Sequence, residues 1–130
     1  VPDGTDGVIL ELGANDMLRG IDPAQTRKNL DAMLSRLKER GIPVLVAGMR
    51  ASPNLGSDYA AKFDTIFADL AQKHGAALYP FFLDGVAAQS GLNQDDGMHP
   101  NSAGVDAIVD RFLPAMEEFL TRSVRQASAN

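Results

Sequence analysis

Strand-like and helix-like segments alternate along this sequence, which predicts an α/β fold with a parallel sheet covered on both faces. Two segments, Gly7 to Gly13 and Pro43 to Met49, are almost continuous apolar runs, the pattern of strands buried on both sides. Three longer segments carry apolar residues at helical spacing and supply the crossovers that parallel strands require. Hydrophobic residues make up 45% of the 130 and charged residues 22%, enough for one domain with a real core.

Gly7-Val-Ile-Leu-Glu-Leu-Gly13 is bounded by glycines and followed by Ala14-Asn15-Asp16, so it reads as a strand ending in a loop. Asp22-Pro23 then supplies an N-cap with proline in the first turn, and Gln25 stands where a capping box places it. Leu30, Met33, Leu34 and Leu37 follow at helical spacing until Gly41 ends the helix. The run from Pro43 to Met49 is the second strand. Turn residues from Ala51 to Ser57 lead into a helix expected over Asp58 to Lys73, where Tyr59, Phe63, Ile66, Phe67 and Leu70 share a face.

Ala76 to Pro80 is a short third strand expected near a sheet edge, since proline donates nothing to a ladder. The polar segment from Asp84 to Pro100 has little periodicity. A last helix is expected from about Ser102 to Arg122, with Val105, Ile108, Val109, Phe112, Met116, Phe119 and Leu120 as one apolar stripe and Pro114 as a kink point. Residues 123–130 read as a frayed tail. Three strands are few for such a sheet, so the run at Val8 to Leu12 is expected to need a neighbour from upstream of Val1.

Charge and composition narrow the function. Twelve Lys and Arg against seventeen Asp and Glu give a net charge of −5 with no basic block, which argues against a phosphate-tracking nucleic-acid surface. There is no Cys, so thiolate nucleophiles, disulfides and Cys-ligated metals are excluded. The apolar runs are far shorter than the roughly 20 residues of a membrane span. No initiator Met, basic n-region or signal h-region opens the chain.

Ligands of parallel α/β sheets bind at the carboxyl ends of the strands, which points to three loops: 13–16, 49–57 and 84–100. Only His74 and His99 can act as an imidazole base. His74 stands at a helix C-terminus, where the dipole favours a cation without further purpose. His99 lies in Asp95-Asp96-Gly97-Met98-His99-Pro100-Asn101, just before the last helix, where Asn101 or Ser102 could simply cap that helix. A base on a loop needs an acceptor for one ring N–H, and Asp96 is three residues away across a flexible Gly97. Asp95 competes for that role, and the residues alone do not choose. Asn15 either tolerates a left-handed turn or presents its NH₂ to an oxyanion, a role worth on the order of 3 kcal/mol.

Taken together these residues resemble the SGNH (GDSL-type) hydrolases, in particular their bacterial arylesterase, acyl-thioesterase and lysophospholipase branch. Glu11-Leu12-Gly13-Ala14-Asn15-Asp16 is similar to that branch's G-x-N-D block, and Asp96-Gly97-Met98-His99-Pro100-Asn101 to its D-G-x-H-P-N block. The resemblance implies a three-layer α/β/α flavodoxin-like sandwich, of which residues 1–122 would be the C-terminal portion, and a Ser-His-Asp triad without metal or organic cofactor. By motif position Asp96 would orient His99, His99 would be general base and acid, and Asn15 an oxyanion donor. Met49, Pro53 and Asn54 would help line the substrate pocket, and Asp16 would bond backbone around the Asn15 loop. The family's Gly-Asp-Ser block precedes these motifs and is not among the 130 residues, so no nucleophile is assigned here. The family's nucleophile strand lies beside Val8 to Leu12, so without it an apolar parallel edge is expected to be exposed.

Two functional readings follow. In the first, the chain is part of a serine ester or thioester hydrolase acting on a small-molecule or lipid ester, completed by an upstream Ser-bearing segment of the same domain. In the second, it is a catalytically inactive interaction module that pairs through its sheet edge, with a second copy for instance. A metal site at Asp95, Asp96 and His99 is a distant third. Family members are often exported, which favours a periplasmic or secreted home.

Overall fold

The structure, a computed structural model, describes residues 1–127. Three strands, β1 (Val8–Leu10), β2 (Val44–Ala47) and β3 (Ala77–Tyr79), form a parallel sheet in the order β1-β2-β3. Val8 pairs with Val44 and Leu10 with Val46, and on the other side Leu45 pairs with Ala77 and Ala47 with Tyr79. Every residue of β2 is buried, as its uninterrupted apolar run requires of a central strand. β3 is an outer strand, as its proline suggested, and β1 is the other.

Helices α1 (Ala14–Leu18), α2 (Pro23–Glu39), α3 (Ser57–Phe63), α4 (Ile66–His74) and α5 (Ser102–Ala127) complete the fold, with 3₁₀ turns at Pro53–Leu55 and Ser90–Leu92. Asp22 caps α2 by accepting the Ala24 N–H at 2.9 Å, with Pro23 in the first turn. Leu30, Leu34 and Leu37 of α2 and Ile66, Phe67 and Leu70 of α4 bury the sheet face that carries Leu10, Val44 and Val46. The opposite face receives α5, whose Phe112 ring meets Tyr79 edge-on with centroids 5.0 Å apart. The sheet is therefore sandwiched between two helical layers.

Five sequence expectations are corrected. Strand β1 stops at Leu10 rather than Leu12, and Ala14-Asn15-Asp16 winds into α1 instead of a loop. The helix expected over residues 58–73 is broken at Asp64 and Thr65, where the Asp64 carboxylate turns away to accept the Ala51 N–H at 2.7 Å. The apolar spacing runs straight through this break and so conceals it. The stripe on α5 is split: Ile108 and Phe119 are buried, but Val105, Val109 and Leu120 are exposed. Finally, α5 continues past Arg122 to Ala127; of the expected tail, residues 128–130 lie outside the described residues.

The free edge of β1 carries apolar surface. Ile9 is 42% exposed and Leu12 48%, and among the described residues nothing pairs with that side of β1. No helix of the described residues is long and apolar enough to cross a membrane.

Candidate active site

All three strands are parallel, so the segments leaving β1, β2 and β3 start from one end of the sheet, and each carries candidate residues. Gly13, with φ of 112°, turns the chain from β1 into α1, and Asn15 follows in the first turn. Its carboxamide is exposed and makes no hydrogen bond among the described residues; it opens onto a groove of about 330 Å³ lined also by Glu11, Leu12, Asn29 and Met33. Asp16 accepts the hydroxyl of Thr26 at 2.9 Å, so its side chain ties α1 to α2 rather than bonding loop backbone as expected.

After β2, Met49 is 6% exposed and packs in the core while also lining a groove beside Arg50 and Asp64, whereas Pro53 and Asn54 are exposed on the 3₁₀ turn. The guanidinium of Arg50 lies 5.1 Å from the centroid of the Phe81 ring, joining the loops that follow β2 and β3.

The third segment holds the most ordered chemistry. His99 Nδ1 is 2.6 Å from Asp96 Oδ2, while Asp96 Oδ1 accepts the backbone N–H groups of Met98 at 2.9 Å and His99 at 3.0 Å. Gly97, with φ of 70°, makes the bend that lets one carboxylate serve all three donors. These bonds, the His99 N–H first and its ring next, hold the Asp96 carboxyl down at about 2, so it is ionised wherever the imidazole can work. Asp95 makes none of these contacts. The His99 side chain is 64% exposed and its Nε2 is free of hydrogen bonds among the described residues. This is the arrangement of an oriented base facing outward: a carboxylate fixes one nitrogen and leaves the other to a substrate or nucleophile.

No hydrogen bond joins Asn15 to Asp96 or His99, and no serine hydroxyl among the described residues reaches His99. Among the described residues no three His, Asp or Glu side chains converge as metal ligands, so Asp95, Asp96 and His99 do not form the cluster weighed above. His74 is bound elsewhere: its Nε2 is 2.5 Å from Asp31, which also takes Lys73, and the three link α2 to α4. That partner, 43 residues away, leaves no local mark in the sequence.

Comparison with known proteins shows the family. Residues 2–107 match the model of the GDSL-like lipase/acylhydrolase family. The chain belongs to that family. It is 37% identical over 113 residues to esterase TesA of Pseudomonas aeruginosa, covering 87% of this chain and 56% of that protein. It is 41% identical over 95 residues to an arylesterase of Vibrio mimicus, covering 73% and 48% respectively. The thioesterase 1/protease 1/lysophospholipase L1 of Escherichia coli K12 is 37% identical, covering 79% of this chain and 50% of that protein. The chain thus spans about half the length of the curated relatives it matches.

Solved structures of this family agree in fold. The crystal structure of TesA superposes with a TM-score of 0.82 at 36% identity, covering 88% of this chain and 63% of that one. AlinE4, described as an SGNH-hydrolase family esterase, gives 0.71 at 46% identity, covering 91% and 62%. The GDSL-like fold class and hydrolase kinship expected from the motifs are therefore established, and this chain is a mixed α/β member with a parallel sheet.

Proposed function

We propose that these residues supply the base, its orienting acid and one oxyanion donor of a carboxylic ester hydrolase, whose nucleophilic serine lies on an N-terminal part of the same domain. The observation that carries this reading is the Asp96 carboxylate, which binds His99 Nδ1 and two backbone N–H groups while Nε2 is left free. Membership of the hydrolase family and the half-length match to esterases and a thioesterase support it.

In this mechanism His99 Nε2 takes the proton of the serine hydroxyl as its oxygen attacks the ester or thioester carbonyl. Asp96, already ionised, stabilises the imidazolium without accepting its proton. Asn15 donates from its amide to the oxyanion, and collapse expels the alcohol or thiol with a proton from His99. Water then repeats the sequence on the acyl-enzyme, with His99 again the base. Pro53 and Asn54, exposed on the loop after β2, would line the entrance for the substrate in this reading.

The test joins this chain to a segment carrying the family's Gly-Asp-Ser block and follows hydrolysis of a short-chain aryl ester. His99→Ala is expected to remove at least about a thousandfold of the rate, and His74→Ala to leave it intact. Undiminished turnover by His99→Ala would sink the proposal. The exposed edge at Ile9 also suits a second reading, a non-catalytic module that pairs strands with another copy. A folded self-dimer that fails to bind the Ser-bearing segment favours that reading.

A further inference from the structure

The Asp96–His99 contact sits at the tip of a loop whose two ends are tied together by asparagines. Asn93 is buried, and its amide donates to the carbonyls of Val86 and Gln89, both at 2.8 Å. A lone antiparallel bridge pairs Asn93 with Pro100. Asn101 uses both ends of its side chain: Nδ2 donates to Gly91 O at 3.0 Å and to Asn93 O at 3.2 Å, and Oδ1 accepts the Gly104 N–H at 3.0 Å. Its own N–H donates to Leu92 O at 3.0 Å. Gly104 seats α5 on the same chain, since a Cβ there would stand 2.0 Å from the Leu92 oxygen.

Residues 94–99 are all exposed, so burial does not orient the imidazole. Its place comes from hydrogen bonds: inside the loop the Gln94 N–H donates to His99 O at 2.7 Å and the Gly97 N–H to Gln94 O at 2.9 Å, and the loop as a whole is carried by the bonds at its base. A helix cap alone needs only one oxygen, which Ser, Thr or Asp also offers. The two donated bonds of Asn101 exceed that need, and both go to the strand of chain that enters the loop.

We propose that Asn101, with Asn93 beside it, is a positioning residue for His99: its two donated bonds hold the ends of loop 93–101 together so that the imidazole stays on Asp96. The inference rests on the reading of His99 as the base. It adds that the base is held in place from the residue that caps α5, two residues downstream.

The decisive variant is Asn101→Ser, which keeps an oxygen for the Gly104 N–H and removes both amide N–H donors, leaving one short hydroxyl in their place. Asn93→Ala perturbs the same base from the other side. Nuclear magnetic resonance of the chain reads the Nδ1 proton of His99 and the titration of the Asp96 carboxyl. In both variants the Nδ1 signal is expected to broaden by exchange, and the Asp96 titration to rise from about 2 toward the ordinary 3.8. Where turnover is measured, kcat is expected to fall about tenfold at unchanged KM. An unchanged Nδ1 signal and Asp96 titration in Asn101→Ser overturns the proposal, whatever happens to stability. Since that readout needs no turnover, it stands apart from the esterase reading, which is judged by His99→Ala.

Discussion

Gly48→Ala tests whether backbone contact between two strands, rather than local flexibility, demands a glycine at the site end of the sheet. Gly48 follows β2, donates its N–H to Tyr79 O at 2.8 Å and accepts the Phe82 N–H at 2.9 Å. A Cβ at this position would stand 2.3 Å from the Pro80 oxygen and 3.0 Å from its carbonyl carbon. Carbon and carbonyl oxygen approach to about 3.3 Å at closest, so the two chains must part by about 1 Å. That separation takes both N–H···O contacts out of hydrogen-bonding range. At roughly 1 kcal/mol for each bond, with a similar share for disturbed packing around Met49, the cost is about 2–4 kcal/mol. For a chain of this length about 4 °C is lost per kcal/mol, so thermal unfolding followed by circular dichroism is expected to move down by about 8–15 °C. Gly91→Ala is the control, because no atom lies within 4 Å of where its Cβ would stand and its φ is not left-handed. A Gly48→Ala protein that melts within about 2 °C of its parent refutes the reasoning.

Three further outcomes are expected. Asp96 is held at about 2 in the folded chain against an ordinary 3.8, a depressed carboxyl. Its contribution to stability is therefore fully present above about pH 4 and is lost as pH falls toward 2; Asp96→Asn should flatten the unfolding profile in that window. The same substitution should cut ester hydrolysis about 10⁴-fold, by removing the ionised acceptor that selects the tautomer, and a rate within tenfold of the parent contradicts the orienting role. His74→Ala should lower stability by about 1 kcal/mol in urea unfolding, because the ring is only 8% exposed between α2 and α4. It should leave esterase turnover unchanged; a loss of turnover at constant stability would mean that His74, not only His99, serves the chemistry.

What could be read from the sequence had short-range causes. Asp22-Pro23 starts α2 because the cap acts over two residues, and Asp96 finds His99 because Gly97 bends the chain between them. The features that escaped depend on partners far away in sequence. The break between α3 and α4 is anchored by Asp64 on Ala51, 13 residues earlier, beneath an apolar spacing that continues undisturbed. Asn101 read equally well as a helix cap, and only the folded chain shows its second pair of bonds to Gly91 and Asn93. Met49 reads from its loop position as a pocket residue, yet two residues past the fully buried β2 it is still only 6% exposed, a burial its loop position does not show.

The exposed edge and the unfinished site bear on each other through strand direction. β1 is an outer strand, and Asn15 lies just past its carboxyl end, at the same end of the sheet as the segments carrying Asn54 and His99. A strand added parallel to β1 would cover Ile9 and deliver its own following loop to that end, and Nε2 of His99 has no partner among the described residues. A second copy of the chain related by a two-fold axis pairs β1 with itself antiparallel. Such a dimer would bury the same apolar edge but send the partner's loops to the opposite end of the sheet, leaving His99 as it is. The two proposed partners therefore differ in what they do to the imidazole. Adding a Ser-bearing segment should shift the His99 Nε2 resonance, whereas self-association should bury Ile9 and leave that resonance in place.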